Sequence, residues 1–321
     1  MKYLSQTADL SAKTAFVRAD LDISMDKEGK ILETFRLDVL IPTLKFLLGK
    51  GIMPVIAGHI GRPAGKEDSF LSTERLKPYF DAVLGKGNYE LLENLRFNPG
   101  ENEKDPKFAQ ELATKADIYV NESFATCHRD TASISLLPKL LPSFVGLHLE
   151  EELKVLERVF DPKNKPSVVM VGGAKKSKKE TIYALAKYFD YVLVGGALKK
   201  GLEDPEATNV FYPIDHIENG LDVGPRTIAA YAKILSKASL IVWVGPMGAY
   251  DQGYFEGSKS LAQSIISLSA FSVVGGGDTI TCLDQLGLLD SFDFVSTGGG
   301  ASLDFLSKGK LPGLEALNYY V

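Results

Sequence analysis

The sequence predicts an α/β protein with parallel, helix-covered sheets in two domains, and three observations lead there. Apolar, branched strand-like stretches alternate with helix-like ones along the chain. In the second half, five strands of buried character run straight into glycine. Between the halves, DPKNKP (161–166) carries two prolines and breaks the pattern, directly after the helix-like GLHLEEELKVLERVF (146–160).

In the first half, TAFVRADLDI (14–23), MPVIAGHI (53–60) and ADIYVNES (116–123) are expected as strands. IPTLKFLLGKG (41–51) has helical apolar spacing, with Pro42 tolerable in a first turn and Gly51 suited to a cap. We therefore expect an N-terminal domain over 1–150, a connecting helix at about 146–160 and a C-terminal domain over 161–321. A return of the last residues to the N-terminal domain stays open. In the C-terminal half SVVMV (167–171) meets GGA before the helix-like KKETIYALAKYF (178–189), and YVLV (191–194) meets GGAL. LIVWV (240–244) meets GPMG ahead of the helix-like 258–268, FSVV (271–274) meets GGGD, and FDFVS (292–296) meets TGGGAS.

Composition excludes several classes. With 36 basic against 41 acidic residues the net charge is −5, which speaks against a nucleic-acid coat, although local basic clusters can still hold small anions. No apolar run is long enough to span a bilayer, and MKYLSQTADL lacks the layout of a signal peptide. Cys127 and Cys282 are too few for a disulfide framework or a zinc site, so a reducing cytoplasm is expected. His59, His128, His148 and His216 show no metal-binding spacing.

The glycine-bearing strand ends point to phosphate. At the carboxyl edge of a parallel sheet, loops lead into helix N-termini whose unpaired N–H groups carry about half a positive charge. Glycine lets a phosphate approach that backbone with no Cβ in the way. A tight turn explains any one such junction; five in equivalent places point to a nucleotide-phosphate site. The usual fingerprints are absent: no GxGxxG stands at a strand–helix junction, and in GRPAGKE (61–67) the glycine spacing is one short of a P-loop, with Glu67 where Ser or Thr is needed. In VGGAKKSKKE (171–180), Lys175 and Lys179 are four apart and would share a helix face, while Lys176 and Lys178 point elsewhere. A merely solvated lysine turn fits poorly, because cations oppose the dipole at a helix N-terminus unless an anion is bound. In the first half Arg18, Arg36, Arg62, Arg96 and Arg129 recur beside strand ends and turns, with His59 among them. Singly they read as ion-pair partners and a packed imidazole; together they suit a multivalent anion.

VRADLD, GHIGRP, LLENLRFNPGE, YVNESFATCHR, VGGAKKSKK, WVGPMGAYD, VVGGGDTI and STGGGASLDFL stand in the order found in phosphoglycerate kinases. The chain resembles that family from about residue 10 to 315. The resemblance implies two doubly wound, Rossmann-like domains joined by a helix, with a hinge cleft. It also implies a cytoplasmic, monomeric glycolytic enzyme, with reversible in-line phosphoryl transfer between 1,3-bisphosphoglycerate with ADP and 3-phosphoglycerate with ATP. Carried over by position, it makes Arg18, Asp20, Asp22, Arg36, His59, Arg62, Arg96 and Arg129 the phosphoglycerate site. It assigns catalysis to Arg36, Lys175 and Lys179. It places nucleotide at Gly172, Gly173, Lys175, Lys179, Gly195 and Gly196, then at Pro246, Asp251, Gly276, Gly277, Asp278 and Thr279, and at Gly298, Gly299 and Gly300. Asp278 would hold Mg2+, with a helix cap as its plainer use. No nucleic-acid or membrane partner is implied.

The chain departs from the family pattern in places. Asp22 stands for Asn, Val244 for a nucleotide-contacting Asn, Asp251 for Glu, Ala125 for Gly and Lys178 for Asp, and the segment 199–220 is short. Transfer with weakened nucleotide binding is the expectation. The alternative is a catalytically impaired ligand-binding or regulatory relative.

Overall fold

TAFVRA forms a central strand because Ala15, Val17 and Ala19 are apolar on one covered face and Phe16 on the other. The computed structural model describes residues 1–7, 10–26, 28–173, 179–198 and 207–319. They divide into two units, Met1–Leu153 with Lys310–Val321, and Lys154–Gly309. The division falls inside the helix Leu147–Glu157, and the closing segment belongs with the first unit.

In the first unit β1 (Thr14–Ala19), β2 (Met53–Ala57), β3 (Glu90–Leu91), β4 (Ile118–Glu122) and β5 (Ser143–Val145) form a parallel sheet in the order β3-β2-β1-β4-β5. Ala15, Val17 and Ala19 bury one face against Leu44 and Leu47 of the helix Ile41–Gly49 and Phe80 of the helix Lys77–Leu84. Phe16 lies on the other face, stacked on its register partner Tyr119 with ring centroids 6.0 Å apart. By the same alternation Arg18 falls on the Phe16 face, buried at the carboxyl end of the strand. Pro42 sits in the first turn of its helix and Gly51 closes it at φ +73°, as its sequence implies.

The second unit holds β6 (Ser167–Val171), β7 (Tyr191–Val194), β8 (Val210–Phe211), β9 (His216–Ile217), β10 (Asp222–Val223), β11 (Leu240–Val244), β12 (Phe271–Gly275) and β13 (Phe294–Ser296). Six of them form a parallel sheet in the order β13-β12-β11-β6-β7-β8, while β9 and β10 make an antiparallel pair. Met170, Ile241, Trp243 and Val274 pack against Tyr231 and Leu235 of the helix Pro225–Leu235 and Leu261 and Ile265 of Glu256–Ile266. Each sheet is therefore doubly wound. The strand order reverses between β1 and β4 in one unit and between β6 and β11 in the other, the places where such folds bind ligands.

Three differences from the sequence reading have simple causes. The first strand ends at Ala19 rather than at 23, because its partner β4 ends at the paired Glu122. β3, β5 and β8 have two or three residues each, too few to show a period. The connecting helix stops at Glu157 and continues as a 3-10 turn, Arg158–Phe160.

Glu122 ties the carboxyl end of β4 to the first turn of the connecting helix. Its carboxylate accepts the N–H of His148 at 3.2 Å, the N–H of Leu149 at 2.9 Å and the hydroxyl of Thr43. Burial pushes its pKa up, and His148, the Thr43 hydroxyl and the two N–H groups oppose that shift. Glu122→Ala leaves these buried donors unpaired and is expected to cost on the order of 3 kcal/mol, read as a lowered urea midpoint.

Candidate active site

The polar end of β1, the helical turn Phe35–Asp38 and the segments after β2, β3 and β4 bring seven of the eight expected first-unit residues into one cluster. Arg18 is 2% exposed and donates from Nε to Ser133 Oγ at 2.9 Å and from Nη1 to the Ala19 carbonyl at 2.5 Å. Its Nη2 lies 3.3 Å from His59 Nδ1, which as the acceptor leaves the ring proton on Nε2, 3.8 Å from Asp22. Arg36 lies 3.3 Å from Asp20 and donates to the Asp22 carbonyl at 2.8 Å. Arg96 donates to the Gly61 carbonyl at 2.7 Å, and Asp22 accepts the Gly61 N–H at 2.8 Å, so the loop after β2 is pinned from both sides. The half-buried Arg129 has a buried Nε with no hydrogen-bond partner among the described residues. Arg62 is exposed at the rim next to Gly61, and its side chain makes no hydrogen bond or ion pair among the described residues.

The electrostatics follow from that crowding. Burial depresses the His59 pKa well below its ordinary value, and the charges of Arg18, Arg96, Arg129 and Arg36 push it further down. Arg96 is lowered to about 10, first by burial and then by Arg129 and Arg18. Asp20 is raised by burial despite Arg36 beside it. A cluster this positive, holding a neutral imidazole, is built to receive a multiply charged anion.

In the second unit the glycine-bearing strand ends meet at the switch point. Gly172 donates to the Val244 carbonyl at 3.0 Å and Gly173 to that of Pro246 at 3.0 Å. A Cβ on Gly172 would stand 2.0 Å from the Pro246 carbonyl oxygen, and Gly245 has φ +98°, so two backbones pass where no side chain fits. Gly195 and Gly196 bond to the Val171 and Met247 carbonyls on the adjoining edge. The helices Gly277–Gln285 and Gly300–Lys308 begin from Gly276 and Gly299 with no side-chain capping bond, leaving their first N–H groups for another acceptor. Gly298 is buried, its N–H bonded to Ser296 Oγ at 3.1 Å.

Asp278 is the second residue of its helix, not its cap. It is exposed, with no hydrogen bond or ion pair among the described residues. Thr279 is fully buried and accepts the Gly245 N–H at 2.7 Å, so its side chain holds the loop rather than facing outward. Pro246 is buried, Asp251 is exposed on the 3-10 turn Tyr250–Gln252, and Val244 is 5% exposed with its methyl directed toward Gly276. Lys175, Lys176 and Lys178 lie outside the described residues, and Lys179 is described only as the start of the helix Lys179–Leu185.

Asn94 escaped the sequence reading. Its amide donates to the carbonyls of Ile60 and Leu71, and its oxygen accepts the Arg96 N–H at 3.0 Å, so it sets Arg96 in place. An Asn two residues before an Arg was the available signal, as an Asx turn.

A family model described as "Phosphoglycerate kinase" matches residues 5–88, 80–203 and 197–310. The chain is 33% identical over 390 residues to a phosphoglycerate kinase of Leptospira biflexa, covering 98% of each. It is 34% identical over 396 residues to one of Orientia tsutsugamushi, covering 99% of this chain and 98% of the relative. Both alignments run longer than the 321 residues here, so the relatives carry segments that this chain lacks. Solved phosphoglycerate kinase structures are similar too. That from Coxiella burnetii has a TM-score of 0.83 at 30% identity, covering 98% of each chain. That from Pyrococcus horikoshii has 0.86 at 27%, covering 99% of this chain and 98% of the other.

Two measurements check this geometry. With its folded pKa below the ordinary 6.5, His59 contributes stability above 6.5 that is lost as pH falls from there through the depressed folded value. A His59→Gln chain should therefore show a shallower loss of stability below pH 6.5 than the parent, measured by urea unfolding at several pH values. Gly172→Ala forces backbone atoms apart and should cost roughly 2 kcal/mol or more in the same assay.

Proposed function

The chain belongs to the phosphoglycerate kinase family, and from that premise we propose how its own residues carry reversible phosphoryl transfer between 1,3-bisphosphoglycerate with ADP and 3-phosphoglycerate with ATP. The observation that carries the proposal is the guanidinium cluster around a neutral His59 at the switch point of the first sheet. Arg18, Arg62, Arg96 and Arg129 bind the 3-phosphate and carboxylate, His59 donates a neutral hydrogen bond, and Asp20 orients the hydroxyl end. Arg36, 18% exposed and the less buried partner of its ion pair, meets the phosphoryl group in transfer.

The acceptor is a carboxylate, so no general base is needed and catalysis is positioning with neutralisation of charge. The nucleotide phosphates lie along the helix-start N–H groups at Gly276, Gly277, Gly299 and Gly300, with Gly172 and Gly173 shaping the adjoining strand edge and Lys175 and Lys179 as the cationic partners. Asp278 suits Mg2+, since that ion binds through one or two carboxylates, waters and substrate phosphates, and this carboxylate is exposed and unpaired among the described residues. Bound there, the ion would neutralise phosphate charge. Val244 offers the base no polar contact, which supports weak or unselective nucleotide binding. In-line transfer requires the two ligands to meet, so closure belongs to the cycle we propose. The proposed setting is a cytoplasmic monomer. Two free, buried cysteines support a reducing compartment, and among the described residues no helix is long and apolar enough to cross a membrane.

The test is Mg2+-dependent ATP consumption with 3-phosphoglycerate. Turnover is expected, and Arg36→Ala should lower kcat about a hundredfold. Absence of turnover in a chain that still binds 3-phosphoglycerate would overturn the proposal. Asp22→Asn keeps the oxygen that accepts the Gly61 N–H but removes a negative charge near the anion. It should lower the KM for 3-phosphoglycerate several-fold, by about 1 kcal/mol at surface-like screening.

A further inference from the structure

We infer that Ser133 and Glu101 are positioning residues that aim Arg18 at the substrate, a deepening that rests on the role proposed for Arg18. A guanidinium has five N–H donors. Three atoms of the chain, Ser133 Oγ, the Ala19 carbonyl and His59 Nδ1, meet its three nitrogens, leaving two donors for a ligand. Arg18 is thus clamped in one orientation, and the Ser133 end of the clamp has a fixed polarity.

That polarity comes from Glu101. Its carboxylate, 1% exposed, accepts the Ser133 hydroxyl at 2.7 Å through one oxygen and the Ser133 N–H at 3.0 Å through the other. A hydroxyl has a single hydrogen. Spent on Glu101, it leaves only lone pairs for Arg18 Nε, which donates to them at 2.9 Å. The backbone helps: Ser133 is fully buried in the π-helical turn Ala132–Leu136, a wide turn of the kind that interrupts regular helices at functional sites. Glu101 stands in the helix Pro99–Glu103, whose start is capped by the side chain of Asn98. The relay runs from a capped helix through one hydroxyl to the guanidinium.

Glu101→Gln keeps the shape but introduces a donor. The amide can donate to Ser133 Oγ, turning the hydroxyl hydrogen toward Arg18 Nε so that donor faces donor. Ser133→Ala removes the acceptor outright and is mild enough to keep the test available if the buried glutamine variant fails to fold. Each variant is assayed by KM for 3-phosphoglycerate, KM for ATP and kcat, alone and combined with Arg18→Ala. The expected result is a KM for 3-phosphoglycerate raised about tenfold, a KM for ATP within about twofold, and no added effect in the Arg18→Ala background. Both KM values moving together would reveal a general structural role and overturn the inference. An unchanged KM for 3-phosphoglycerate in both variants, with Arg18→Ala raising it, would overturn the relay while leaving the kinase reading intact. No change with Arg18→Ala itself would remove the assignment of Arg18, and the relay with it.

Discussion

Like charges crowded around one imidazole are the constraint on which the first unit depends. Arg18, Arg36, Arg96 and Arg129 all act on His59, and none of them would choose that company without restraint. The fold supplies the restraint from behind. Asp20 faces Arg36, Glu101 acts on Arg18 through Ser133, and carbonyls of Ala19, Gly61 and Asp22 each take one further donor. The anchoring acceptors are fixed before any ligand arrives, so a bound anion completes an arrangement already ordered. That is how a protein of net charge −5 sustains a concentrated positive site.

Among the described residues, the second unit brings backbone rather than charged side chains to its strand ends. Its strand ends approach until backbone touches backbone at Gly172 and Gly245, and its helices open from uncapped glycines. Thr279 and Trp243 are used inward, the first accepting the Gly245 N–H and the second donating to the Gly245 carbonyl at 2.8 Å. One unit therefore gathers guanidinium groups and the other uncapped helix starts, each at the reversal of its strand order.

Long, strongly patterned features were legible in the sequence. β1, β2, β4, β6, β7, β11 and β12 lie within the stretches their composition marks or one residue beyond them, and Pro42 and Gly51 bound their helix as their chemistry dictates. The arginines were visible as residue types, but only the fold showed that seven of the eight expected residues converge. What escaped was short or non-local. β3 and β8 are two residues each, and β5 is three. Glu101 and Ser133 are 32 residues apart, and Ser133 is 115 residues from Arg18, so no local pattern links them. The family resemblance makes Asp278 a magnesium ligand, with a helix cap as its plainer use. The structure makes Gly276 the cap, since only a residue with φ +94° turns the chain there.

The close pass of Gly172 over the Pro246 carbonyl has a genetic consequence. Any codon change away from glycine adds at least one carbon at that spot, so no missense allele is conservative and even alanine is a large lesion. This stretch of main chain has a single permitted letter. Inherited variation in the gene should accordingly spare the codon for Gly172.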